Sequence, residues 1–175
     1  MAKELKLLFS RKEIAETVAR LAREISADYA GKRLVLVGVL KGAFVFLADL
    51  VRELTIPAAI EFVRIASYGA KKESCGKIQI KKDVEITLEG KDVLIVEDIV
   101  DTGHTLAYVR RMLAVRQPAS LRTCALVIKP ARRDVDVPVE YVGFEIPDVW
   151  VVGYGLDHSD QYRTLPYIGA LPAET

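Results

Sequence analysis

Three stretches of the chain are apolar without alternation: Leu34–Leu40, Val93–Val96 and Cys124–Ile128. A strand that is apolar on both faces has to be covered on both, which is the pattern of a parallel sheet between layers of helices. The intervening segments read as those helices. Ser10, Arg11, Lys12 and Glu13 form a capping box, after which Ile14, Val18, Leu21 and Ile25 recur at helical spacing until Gly31. Ala43–Leu54 and the span from about Gly103 to Val115 are further helices, and Ile60–Ile65 is a second strand ahead of a polar, Lys-rich stretch. Strand and helix alternate, so the expected fold class is α/β with a mainly parallel sheet and right-handed crossovers. Past Pro130 the rhythm fails. Val139–Val142 and Val149–Val152 are short strand candidates among Gly, Pro and Asp, which points to a small subdomain from about residue 130 to 175.

At 175 residues and 51% hydrophobic content, the chain suits a single domain with a sizeable core. Twenty-five Lys and Arg against 24 Asp and Glu leave a formal charge of +1, without the basic field of a nucleic-acid binder. Small-molecule partners are expected instead. Cys75 and Cys124 show no metal-ligand spacing, Met1–Lys6 lacks the apolar core of a signal peptide, and no apolar run is long enough to span a bilayer. A cytoplasmic setting without membrane attachment is the resulting expectation.

Val93–Val96 runs into Glu97 and Asp98, then Ile99, Val100 and Asp101, and then Thr102, Gly103, His104 and Thr105. Carboxylates are costly inside an apolar core, so the strand is expected to end at Glu97 and deliver both acids to a crevice of the kind in which open α/β sheets bind ligands. Thr102–Thr105 offers successive backbone N–H groups and two hydroxyls at a helix start, which favours a phosphate, and Gly103 permits close approach. Acids beside a phosphate turn suit a ribose 5-phosphate, with its hydroxyls donating to Glu97 and Asp98 and Mg²⁺ nearby. An ordinary capped helix would explain one or two of these carboxylates. It would not explain three in register with Thr-Gly-x-Thr.

These residues resemble the phosphoribosyl pyrophosphate (PRPP) signature of the type I phosphoribosyltransferases. Two further segments extend the resemblance to most of the chain. Leu40, Lys41 and Gly42, at a strand-to-helix turn, look like the family's pyrophosphate loop, whose first peptide bond can be cis in purine-salvage members. Gly143–Asp157, with Lys129 just before it, closely resembles the hood of hypoxanthine-guanine phosphoribosyltransferases. The resemblance implies a type I phosphoribosyltransferase fold, with Trp150 stacking on a purine and Val151 offering backbone groups to it. It further implies that Lys129 donates to the 6-oxo group and that Asp157 helps to hold Mg²⁺ together with Glu97 and Asp98. Arg163 matches the family's pyrophosphate-binding arginine, Arg133 a further basic residue near that site, and Ser67 and Tyr68 the start of a mobile lid. Each role suits its side chain. An indole is a stacking platform, an ammonium favours an oxo over an amino group, and a guanidinium binds phosphate oxygens in pairs.

The implied activity is purine salvage: hypoxanthine or guanine and PRPP give inosine or guanosine monophosphate (IMP or GMP) and pyrophosphate. Asp101 is the candidate acid/base for the proton on the five-membered ring. A homodimer or homotetramer is implied as well. His104 and His158 read as incidental, with no third ligand for a transition metal. Three alternatives stand beside this reading. A xanthine-preferring enzyme is the alternative within the class, since discrimination at the purine 2-position rests on backbone carbonyls that a sequence does not display. A non-catalytic PRPP-sensing regulator bound to RNA or DNA would call for a basic face. A silent assembly subunit would have no use for Asp101, Lys129, Trp150 and Asp157 together.

Overall fold

A computed structural model describes residues 5–67 and 78–172. Tyr68 and the rest of the expected lid up to Lys77, with Cys75, lie outside the described residues.

The helix α1 (Arg11–Asp28) starts at the expected box: Ser10 accepts from the Glu13 N–H at 3.3 Å, and Glu13 Oε2 accepts from the Ser10 N–H at 2.8 Å. Six strands form the main sheet: β2 (Leu34–Leu40), β3 (Ala58–Ser67), β4 (Ile78–Lys82), β5 (Asp92–Val100), β6 (Ser120–Ile128) and β7 (Tyr141–Glu145), in the order β4-β3-β2-β5-β6-β7. All neighbours pair in parallel except β3 and β4, which form an antiparallel edge. The mainly parallel α/β class is as expected. Neither β4 nor the placement of β7 at the sheet edge follows from the sequence reading, which assigned Val139–Val142 to the appended subdomain.

Successive residues of the central strands feed two separate cores. Leu34, Leu36, Leu94 and Val96 pack with α1 and with α2 (Phe44–Glu53), whereas Val35, Val37, Val93 and Ile95 pack with Leu106, Val109 and Leu113 of α3 (His104–Ala114). This is why those runs carry no polar residue: each face of the sheet has its own helical cover. A second sheet, β1-β9-β8, joins β1 (Lys6–Phe9) at the start of the chain to β8 (Val151–Val152) and β9 (Ile168–Ala170). The hood therefore takes one of its strands from the opposite end of the chain.

The topology also makes a crevice. Strand β2 pairs with β5 from Leu34↔Asp92 to Gly38↔Val96 and no further, while β2 continues along β3 to Leu40↔Arg64 and β5 along β6 to Val100↔Ile128. The two central strands part after Gly38 and Val96, and their connections run to opposite sides. Such a switch point leaves a gap at the carboxyl ends of the strands.

Phe46 is fully buried on the sheet-facing side of α2. Phe46→Ala is expected to lower stability by about 3–5 kcal/mol through the cavity it leaves, as read from the shift in the urea midpoint. A change below 1 kcal/mol would show that α2 does not belong to the core.

Candidate active site

The gap between β2 and β5 opens into a cleft of about 740 Å³ lined by Val39, Leu40, Gly42, Ile65 and the whole segment from Glu97 to Leu106. One correction to the sequence reading stands at its floor. Strand β5 does not end at Glu97 but runs on to Val100, because β6 continues to pair with its backbone. Glu97 is only 4% exposed, and so is not delivered to open crevice as expected. Burial, with the Asp98 charge beside it, pushes its carboxyl well above the usual range. Asp98 is pushed up to about 6, chiefly by burial; the N–H groups of Ile99 and Asp98 and the Arg163 charge pull the other way, and Asp157 adds to the rise. The floor thus consists of two adjacent acids that burial drives toward the neutral form.

The turn beyond them is tightly fixed at the start of α3. Gly103 caps α3 with φ +92°, and a Cβ there would approach Val135 O to 2.9 Å, so this position needs glycine twice over. Thr102 O accepts from the N–H groups of Asp134 and Val135 at 3.0 and 3.2 Å, which fixes the turn from behind. His104 lies 3.6 Å from Asp134.

Across the cleft, the Leu40–Lys41 peptide bond is cis. Gly42 lies so close to Asp98 that a Cβ would fall 1.7 Å from its Oδ2, and Gly155 lies so close to Gly42 that a Cβ there would fall 2.2 Å from the Gly42 carbonyl oxygen. Around this stack sits a charged group. Lys41 Nζ is 3.0 Å from Asp160 Oδ1; Arg163 donates to Gly155 O at 2.7 Å and meets Asp157 Oδ1 at 2.7 Å and Asp160 Oδ1 at 3.3 Å. The other oxygen of Asp157 accepts from the Asp160 N–H at 2.8 Å.

On the opposite flank, Lys129 is 4% exposed at the end of β6, with Nζ 3.9 Å from both Asp101 Oδ2 and Asp148 Oδ1. Arg132, in the single 3₁₀ turn Pro130–Arg132, reaches Asp101 Oδ1 at 2.9 Å and Asp148 at 3.4 Å. Its neighbour Arg133 turns away and donates to Val137 O at 2.7 Å. Trp150 is 58% exposed, edge-on to His158 at 5.5 Å, and Val151 is buried in β8 beside Ala170. Ser67 ends β3 opposite Ile78.

The structure therefore gathers Glu97, Asp98, Asp101 and Thr102–Thr105 in one cleft, sets Lys129 against Asp101, and groups Lys41, Asp157 and Arg163 at the other end. The sequence reading missed Arg132, Asp148 and Asp160. Arg132 adjoins the arginine that was chosen, and only the 3₁₀ turn decides which of the two faces Asp101. Among the described residues, no three acidic, His or Cys side chains converge on a point that would hold a metal. Asp157 has both oxygens engaged. Glu97 and Asp98, with no ion-pair partner among the described residues, fit Mg²⁺ arriving on a phosphorylated substrate, an ion that keeps its waters and binds through one or two carboxylates.

A model of the phosphoribosyl transferase domain matches residues 6–159. A hypoxanthine-guanine phosphoribosyltransferase of Dictyostelium discoideum is 50% identical over 172 residues, covering 96% of either chain. A hypoxanthine phosphoribosyltransferase of Salmonella typhimurium is 47% identical over 97% of this chain and 96% of its own. The crystal structure of a hypoxanthine-guanine phosphoribosyltransferase from Bacillus anthracis superposes with a TM-score of 0.91 at 42% identity, covering 97% of this chain and all of that one.

The pH dependence of Asp98 gives a test of the cleft floor. Its carboxyl is raised in the folded chain, so between about pH 4 and pH 6 the folded state holds a proton that the unfolded state has released; this favourable term is complete below the window and lost as pH rises through it. Asp98→Asn cannot ionise. Without substrate it should be more stable than wild type at pH 8 by roughly 1–3 kcal/mol and equal to it near pH 4. Urea unfolding at the two pH values checks this, and a pH-independent difference would contradict it.

Proposed function

The chain belongs to the phosphoribosyltransferase family, and we propose that it is the purine-salvage member, transferring the 5-phosphoribosyl group of PRPP to hypoxanthine or guanine to give IMP or GMP and pyrophosphate. The observation that carries this reading is Lys129. A buried ammonium 3.9 Å from Asp101 puts a donor for a 6-oxo group and an acceptor for a ring proton on the same flank of the cleft. A PRPP-sensing regulator needs neither.

Chemistry is then divided among three places. Thr102–Thr105 binds the 5-phosphate through backbone N–H groups at the start of α3, and the ribose hydroxyls donate to Glu97 and Asp98. Hydrogen bonds from the sugar favour the ionised acids, so the pair is negative when positive charge develops at the ribosyl carbon. At the second place, Lys41, the N–H groups around Gly42 and Arg163 receive the departing pyrophosphate. Asp160 now holds both cations at 3.0–3.3 Å, but it is largely exposed, and surface ion pairs of this kind are weak enough to exchange for phosphate oxygens. At the third, Asp101 takes the proton from the five-membered ring while Lys129 donates to the 6-oxo group, Trp150 stacks on the base and Val151 meets its edge through the backbone. Arg133 serves by holding the 133–137 segment that backs the phosphate turn, and Ser67 leads into the lid that Tyr68 continues. Mg²⁺, brought with PRPP, would neutralise the leaving group, held by Glu97 and Asp98 and joined by Asp157 only once its ion pair with Arg163 is exchanged. The cytoplasmic setting and the homodimer or homotetramer that the resemblance implies are part of the same reading; no described helix is long and apolar enough to cross a membrane.

PRPP-dependent turnover with hypoxanthine, guanine, xanthine and adenine in parallel tests the assignment. Hypoxanthine or guanine should be used and adenine rejected, since Lys129 cannot accept a hydrogen bond from an amino group; xanthine as the preferred base would overturn it. Asp101→Asn should keep the affinity for PRPP and lose about 10²–10⁴-fold in the chemical step measured before steady state. Wild-type single-turnover rates in that variant would remove Asp101 from proton transfer.

A further inference from the structure

One buried hydroxyl in the hood lies outside all of these roles. Tyr154 is 6% exposed, and its Oη donates to Asp49 Oδ2 at 2.5 Å. Asp49 stands on α2, the helix that begins two residues after Gly42. Its other oxygen meets Arg52. A phenylalanine would fill the same space without burying a polar atom, so the hydroxyl contributes direction rather than volume. The backbone agrees with this. Tyr154 adopts φ +53° between Gly153 at +97° and Gly155 at +96°, a left-handed run that a tyrosine adopts only when its surroundings hold it there.

What that run positions is the pyrophosphate end of the cleft. Gly155 presses on the Gly42 carbonyl, and its own carbonyl accepts from Arg163 Nη1 at 2.7 Å. The Gly155 N–H donates to Arg163 O at 3.0 Å, and the Tyr154 N–H to Leu165 O at 2.9 Å. Asp49 and Tyr154 therefore tie the helix behind the Lys41–Gly42 loop to the turn that aims Arg163, and both phosphate-binding elements meet at Gly155. We propose that Tyr154 and Asp49 are a positioning pair for the pyrophosphate half of the site, setting the spacing between the Gly42 loop and Arg163. The proposal rests on the reading of that end of the cleft as the pyrophosphate site.

Tyr154→Phe keeps the packing and removes only the hydroxyl. It should raise the KM for PRPP in the forward reaction and for pyrophosphate in the reverse reaction by roughly ten-fold, while the KM for hypoxanthine stays within two-fold and the thermal midpoint within a few degrees. Asp49→Asn retains an acceptor and should remain close to wild type. Asp49→Leu should repeat the Tyr154→Phe effect, and the double variant should show no further loss, because either change breaks the same contact. Additive losses, or PRPP and pyrophosphate KM values within two-fold of wild type, would overturn the pairing. So would a uniform fall in all parameters that tracks the thermal midpoint, which marks a purely structural role. A wild-type enzyme that shows no inhibition by pyrophosphate and no reverse reaction would instead refute the reading of the pyrophosphate site itself.

Discussion

Glu97 is buried and Asp98 half-buried, side by side at the point where β2 and β5 part, and the other features of the cleft answer to the cost of placing them there. Among the described residues no cation forms an ion pair with either acid; Arg163 acts on Asp98 through its charge alone. Burial raises the cost of ionising them, so that below about pH 6 the Asp98 carboxyl is mostly neutral unless something compensates its charge. In the proposed reading, the sugar hydroxyls and the metal ion brought with the phosphates would provide that compensation. On that reading, substrate binding below about pH 6 is coupled to ionisation of Asp98.

The fold holds this arrangement through main chain rather than side chains. Strand β6 carries β5 past the acids to Val100, so the backbone under Glu97 and Asp98 stays paired while the other edge of β5 is open to the cleft. Gly42 is then stacked on Asp98, and Gly155 on Gly42, at separations that admit no Cβ. This close packing makes one layer depend on the next: the acid supports the loop, the loop meets the hood segment, and the hood segment orients Arg163. Charged side chains sit only at the periphery of the stack, where their ion pairs with Asp157 and Asp160 can be exchanged.

Much of this was legible in the sequence because it rests on short-range pattern. The unbroken apolar runs specify strands covered on both faces, the Ser10–Glu13 box specifies where α1 starts, and Thr-Gly-x-Thr after the acids specifies the turn that opens α3. What escaped the sequence depends on pairing between distant segments. Nothing in residues 93–98 says that β6 will keep β5 in the sheet beyond Glu97, so the acids read as a strand end. Nothing near Lys6–Phe9 says that it will pair with Ile168–Ala170 and complete the hood. The choice of Arg132 over Arg133 to face Asp101 turns on a single 3₁₀ turn. The bond between Asp49 and Tyr154 spans 105 residues and carries no local signature at either end.

The coupling of substrate binding to ionisation of the floor is most directly read as protons released. Calorimetry of PRPP binding in the presence of Mg²⁺, repeated in buffers of different ionisation enthalpy, gives that number at each pH. Because Asp98 is held up to about 6 in the free chain, wild type should release more protons than Asp98→Asn at pH 6, with the excess declining toward pH 8, where Asp98 is already ionised. An identical proton count for the two proteins across that range would contradict the account, since the floor would then be charged before the substrate arrives.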